Sequence, residues 1–348
     1  MTSLHDLYTA HGAVLAPDGI PLHFGDLKEE YQVALKNIVL LDRSHEGRIE
    51  IKGKDRHEIL NRISTNNIAT MTLGDVRPTL LTNANGRILE RVIACDWKED
   101  SLLIITGPGR GQGIASYLQR QIFFNDDAKV TDISTNTYQF ALHGPSTNTL
   151  FSEFSDNISH GLFSGEDIHI AQKAVFTSLL KSFSTQHRIV ICDRVDAPII
   201  WQILIKSGKA YGLRPSGGLT YNTLRIRAGF PGAGRELSND FIPLEVGLWD
   251  EVSFNKGCYT GQEIIARMES REQLAKTLVR LHIDEEVNAP VDLYSNGKRV
   301  GTLTSSVTSP DGEHFGMGIV KRSAIVEAKT LTVDVDGKIQ VGIGDLLG

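Results

Sequence analysis

The stretch Phe254–Met268 reads FNKGCYTGQEIIARM and holds Cys258, one of only three cysteines, between Gly257 and Gly261. A cysteine does chemistry as the thiolate, and a nearby cation or a helix N-terminus favours that form. Thr260 and Glu263 have the spacing of a capping box, which predicts a helix beginning at Thr260. Cys258 then falls two residues before the cap, with Lys256 as the neighbouring cation. Read from the residues alone, the same stretch fits a small cysteine buried in a strand-to-helix turn equally well.

Other chemistry-bearing patterns are weaker. The glycine run Thr106–Gly113 follows a strand and opens a helix, but its spacing matches neither the dinucleotide fingerprint nor the Walker loop. It reads as a structural turn. The eleven histidines are scattered, with no His-x-x-x-His pair and no His/Cys cluster, so no metal site is expected. Cys95, Cys192 and Cys258 lie too far apart for a disulfide framework, which points to a reducing, cytoplasmic compartment. A formal net charge of −6 argues against a dedicated nucleic-acid binder. No apolar run approaches the ~20 residues of a membrane span, and the N-terminal segment lacks the pattern of a signal peptide.

The elements that must position these residues follow from periodicity and turn chemistry. Asp26 and Glu29 predict a capped helix over 27–37, and Ile59, Leu60 and Ile63 give the helix around 55–64 its apolar face. Asn85-Gly86 predicts a hairpin between two apolar strands. Further strands are expected at RIEIKG, SLLIITG, KVTDIS, RIVICDRV and IIWQILI, and helices at 111–124 and 217–228. From Lys276 onward, short strands alternate with the turn signals Asn296-Gly297, Pro310-Asp311-Gly312 and Asp336-Gly337. That spacing predicts a small antiparallel β-barrel or sandwich.

The octapeptide KGCYTGQE, with TLRIRAGFP and IPLEVGLWDEVSF before it, resembles the signature of the YgfZ family. These are folate-binding proteins that assist iron–sulfur cluster proteins and are related to the aminomethyltransferase, or T-protein, of glycine cleavage. LLDRSHEGRIEIKGKD, ISTNN, LLTNANGRIL and GMGIVKR extend the resemblance over nearly the whole chain. It implies an α+β fold, a three-lobed cloverleaf with two intertwined α/β lobes (1–48 plus 135–231, and 49–134 plus 232–275) and a C-terminal antiparallel β-barrel at 276–348. It implies tetrahydrofolate as the ligand. Cys258 becomes a candidate functional thiol, and Leu103, Ile105, Arg225, Glu245, Lys256, Tyr259 and Gln262 become candidate folate-site residues. For Arg225 two partners are open, a ligand carboxylate or Glu245.

The chain departs from the transferases at one telling place. Where they carry a catalytic aspartate after the hairpin turn, this chain has Arg91. A guanidinium stays protonated and cannot act as that carboxylate. The reading that follows is a tetrahydrofolate-binding auxiliary protein for assembly or repair of iron–sulfur proteins, with reduced folate and iron–sulfur clients or assembly factors as partners. The alternatives are a tetrahydrofolate-dependent aminomethyl- or methyltransferase and a folate-binding scaffold without chemistry.

Overall fold

The computed structural model describes residues 3–181, 185–270, 274–327 and 330–347. The chain divides into two compact units, each built from several segments: 1–60, 68–78 and 92–221 form the first, and 61–67, 79–91 and 222–348 the second.

The first unit centres on a six-stranded sheet, in spatial order Gly165–Ile170, Lys173–Leu180, His187–Asp193, Thr137–His143, Val39–Asp42 and Arg214–Ser216. Only the last pair is parallel. Side chains alternate between its faces. Tyr138, Phe140, Leu142 and Val190 join Tyr8, Phe24 and Trp201 in one core, whereas Ile189, Ile191, Phe176 and Leu180 join Val76, Cys95, Leu103 and Ile105 in another. A five-stranded sheet runs Val76–Thr82, Ile88–Lys98, Ser101–Pro108, Glu46–Lys52 and Lys129–Asp132.

Several expected elements stand. Asp26 caps the helix Leu27–Lys36 by accepting from the Glu29 N–H at 3.0 Å. Ile59, Leu60 and Ile63 are the buried apolar residues of the helix Arg56–Ile63. One expectation fails: IIWQILI lies within the helix Ala197–Gly208, not in a strand. Its buried residues, Ala197, Ile200, Trp201, Leu204 and Gly208, recur at helical spacing, and Pro198 opens the first turn without losing a ladder bond. The helix predicted over 111–124 is also shorter, Gly111–Gln119. The hairpin forms, but by a longer turn than Asn-Gly alone would make. The Asn83 carboxamide oxygen accepts from the N–H groups of Asn85 and Arg87, so Gly86, with φ +68°, is the one residue there in the left-handed region.

In the second unit, six strands close an antiparallel barrel: Lys276–Ile283, His314–Lys321, Lys298–Thr308, Val291–Ser295, Thr330–Thr332 and Gln340–Leu346. The fold class expected from the sequence is therefore correct. Asn296 and Gly297 both have positive φ, at 49° and 72°, as a two-residue hairpin turn requires. Alternation again assigns the faces. Val279, Leu281, Leu293, Leu303 and Val320 fill one core, while Leu278, Phe315, Met317 and Ile319 pack with Leu80, Ile88, Ile226 and Val246 in another. No helix among the described residues is long and apolar enough to cross a membrane.

Candidate functional site

The octapeptide Lys256–Glu263 lies in the second unit and is held at both ends by other segments of that unit. The Lys256 ammonium donates to the carbonyls of Asn61 (2.6 Å), Ser64 (2.8 Å) and Asn66 (2.6 Å). An ammonium carries three N–H donors, and each has an acceptor here. At the other end the Thr260 N–H donates to the Arg62 carbonyl (3.3 Å), and the Thr260 carbonyl accepts from the Thr82 hydroxyl (2.6 Å). Just upstream, the Thr65 hydroxyl donates to the Glu251 carbonyl (2.7 Å) and the Ser253 N–H donates to the Thr65 carbonyl (2.9 Å). Gly261, with φ +86°, lies against the hairpin turn: a Cβ there would come within 2.6 Å of the Asn83 carbonyl oxygen and 2.8 Å of Gly86 Cα. A larger residue would lift the loop off that turn.

Cys258 is exposed between these anchors. Gly257 beside it is exposed too, and a Cβ on it would meet nothing within 4 Å. The fold therefore fixes the flanks of the thiol and leaves its approach open. The two expected activators are placed differently from the sequence reading. Lys256 is committed to carbonyl oxygens and sits 5.0 Å from the Tyr259 ring centroid. The helix begins at Gln262, after the left-handed Gly261, and so not at Thr260. Accessibility is what sets this thiol apart. Burial pushes the Cys192 thiol up to about 12 and raises Cys95 further still. Limited alkylation near neutral pH, read by peptide mass spectrometry, is expected to label Cys258 first. Faster labelling of Cys95 or Cys192 would refute that.

Arg91, at the position the resemblance assigns to a catalytic carboxylate, is locked. Its Nε lies 3.0 Å and 2.8 Å from the two Glu251 oxygens, and a terminal nitrogen lies 2.6 Å from Oε1. Both side chains are mostly buried, and the guanidinium carbon lies 5.6 Å from the Phe230 ring centroid. This is a bidentate ion-pair clamp between the strand Ile88–Lys98 and the turn Trp249–Glu251. Glu251 carried no signal by itself in the sequence; an acid beside Leu248 and Val252 reads as surface until its arginine is known.

Arg225 does not pair with Glu245. Its guanidinium lies 3.6 Å from Oε2 of Glu236, with Nε donating to Asn222 (2.9 Å) and NH2 reaching the Ser305 hydroxyl at 3.5 Å. Glu236 is fully buried and accepts from the Gly232 N–H (2.9 Å) and the hydroxyls of Thr304 (2.5 Å) and Ser305 (2.7 Å). A Cβ on Gly232 would fall 2.7 Å from the Arg225 guanidinium carbon, so that glycine makes room for the arginine. Glu245 closes the short helix Pro243–Val246 by accepting from the Ile242 N–H (3.0 Å), and it faces Arg87 (3.4 Å) and Lys276 (3.8 Å).

The remaining candidates fall into two settings. Tyr259 is buried with Ile242, Leu244, Val252, Ile265 and Leu274, and burial pushes its hydroxyl up to about 12. Gln262 is half-exposed at the start of its helix. Leu103 and Ile105 are buried in a core of the first unit and present no open wall. Among the described residues no group of three or more His, Cys, Asp or Glu side chains is placed to hold a metal ion.

Comparison with known proteins gives a consistent picture. The family model of the GCVT N-terminal domain matches residues 4–256. A chloroplastic protein of Arabidopsis thaliana named as a transferase is 30% identical over 335 residues, covering 95% of this chain and 76% of its own length. An aminomethyltransferase of Anoxybacillus flavithermus is 27% identical over 347 residues, covering 97% of this chain and 94% of its own. The crystal structure of the glycine cleavage system aminomethyltransferase T from Bartonella henselae superposes with a TM-score of 0.85 at 21% identity, covering 98% of this chain and 96% of the other.

Proposed function

The chain belongs to the family of the GCVT N-terminal domain, and on that premise we propose that it binds a reduced folate and serves iron–sulfur proteins through Cys258. The observation that carries this reading is the thiol: exposed, flanked by an open glycine, and fixed by Lys256 on one side and Thr260 on the other. A cysteine with only a packing role would be buried, as Cys95 and Cys192 are. The octapeptide's likeness to the YgfZ signature supports the same assignment. Tetrahydrofolate is the proposed ligand, with Arg225 and Gln262 as its polar contacts. Clients and assembly factors are the proposed protein partners, and a cytoplasmic location accompanies the reduced thiols.

Aminomethyl transfer is the competing reading, since relatives of this chain are named for it. The Arg91–Glu251 clamp weighs against it. A guanidinium neutralised by a bidentate carboxylate offers neither a base nor a negative charge to a developing cation.

The test has two arms. Calorimetric titration of tetrahydrofolate into wild type and Arg225→Ala, with melting temperatures alongside, is expected to show wild-type binding that weakens about ten- to a hundredfold in the variant. No wild-type affinity for any reduced folate would remove the ligand from the proposal. A lower melting temperature with equal affinity would make Arg225 purely structural. In cells lacking the protein, Cys258→Ala is expected to fail to restore iron–sulfur enzyme activity where wild type succeeds. Full rescue by Cys258→Ala would end the role of the thiol. Robust methylenetetrahydrofolate formation with the other glycine-cleavage components would favour the transferase instead.

A further inference from the structure

We propose that the first unit carries a separate site for a small organic oxyanion, a carboxylate or phosphate, in a cavity beside Tyr138 and Arg194. The cavity holds about 600 Å³ and is lined from six segments, among them His5, Asp18, His45, Tyr138 and Arg194. That volume suits a small metabolite.

Its cation is prepared rather than loose. Arg194 Nε donates to the Thr135 carbonyl (2.7 Å), NH2 reaches the Ser134 carbonyl (3.3 Å), and the guanidinium carbon lies 5.3 Å from the Tyr138 ring centroid. Two carbonyls and an aromatic face orient the fork, and among the described residues no carboxylate pairs with it. Its other terminal nitrogen remains for a ligand. The ring beneath is itself fixed. The Tyr138 and Tyr8 hydroxyls donate to the same Asp42 oxygen (2.5 Å and 3.0 Å), while the Ser44 N–H donates to the other (2.8 Å).

Two imidazoles complete the lining. The His5 ring lies over the turn at Gly19, where a Cβ would come within 2.6 Å of Nε2 and φ is +84°. His45 lines the cavity, and its Nδ1 is buried with no hydrogen-bond partner among the described residues. Burial first, and the Arg43 charge second, hold His45 below the usual histidine range, so it is neutral at pH 7. Among the described residues Asp18 is the one carboxylate on the lining. One oriented cation, two imidazoles and one acid suit a ligand that is anionic at one end and polar or cationic elsewhere.

This site is distinct from the expected folate contacts. Tyr138 belongs to the core with Phe140 and Val190, whereas Leu103 and Ile105 pack with Ile189 and Ile191, on the opposite face of the six-stranded sheet.

Calorimetry and thermal shift on the full chain test it, with glycine, L-glutamate, glycerol 3-phosphate and inorganic phosphate as probes. At least one probe is expected to bind wild type more tightly than about 1 mM. Arg194→Gln is expected to weaken it about tenfold or more, while Arg225→Ala leaves it unchanged. The preferred probe separates carboxylate from phosphate. Arg194 is exposed, so its variant keeps the fold; His45→Gln serves as a second variant should melting temperature fall. The proposal is overturned if no probe binds wild type in that range, if binding survives Arg194→Gln, or if Arg225→Ala abolishes it equally.

Discussion

Lys256→Met is expected to be among the most damaging single substitutions in the second unit, costing about 3 kcal/mol or more of stability. Methionine keeps the length of the stem and removes every donor. The carbonyls of Asn61, Ser64 and Asn66, all within 2.8 Å of the ammonium, then lose their shared partner. Partly buried acceptors that lose a charged donor cost more than the average hydrogen bond contributes. Denaturant unfolding gives the number. Alkylation kinetics of Cys258 give a second readout, because the thiol sits two residues from the released anchor. A loss below about 1 kcal/mol would mean that Lys256 is not what fixes the octapeptide.

Breaking the Arg91–Glu251 clamp from one side is expected to cost about 3–5 kcal/mol, because each side chain is mostly buried and loses its bidentate counter-charge. Glu251→Ala and Arg91→Ala measure the single losses. The pair Arg91→Leu with Glu251→Leu is expected to recover most of the stability, since apolar replacement of a buried ion pair is often neutral. Additive losses in this cycle would show that the two residues do not act together. The clamp also bears on function. Arg91→Asp, which returns a carboxylate to the transferase position, places two acids together and is expected to destabilise the chain rather than create aminomethyl transfer. Turnover by that variant would show that a carboxylate at position 91 is enough for aminomethyl transfer on this scaffold.

Legibility differed by kind of feature. The barrel after Lys276 was readable because each hairpin turn is local: Asn296-Gly297 needs two left-handed residues and has the two types that tolerate them. The capped helix at Asp26 was readable for the same reason. IIWQILI misread as a strand because a short run of β-branched and aromatic residues looks alike in both states. Its burial at Ala197, Ile200, Trp201 and Leu204 decided for the helix. Within the candidate site, the octapeptide and its cysteine were identifiable from residue types, but not the exposure of the thiol or what holds its flanks. Lys256 was read as a neighbour of the thiol, yet its acceptors lie 190 to 195 positions earlier in the chain.

Sequence alone determined the fold class, the barrel and the family resemblance, and it placed Arg91 where that resemblance puts a catalytic carboxylate. Periodicity, turn chemistry and side-chain identity are properties of short stretches, and they need no long-range contact to be expressed. Tertiary structure alone decided that Glu251 neutralises Arg91, that Glu236 and not Glu245 holds Arg225, and that the Lys256 ammonium grips three carbonyls. A charged side chain reaches whichever partner the packing of distant segments brings within a few ångströms. Any acid in the chain was a candidate until the backbone had closed around it.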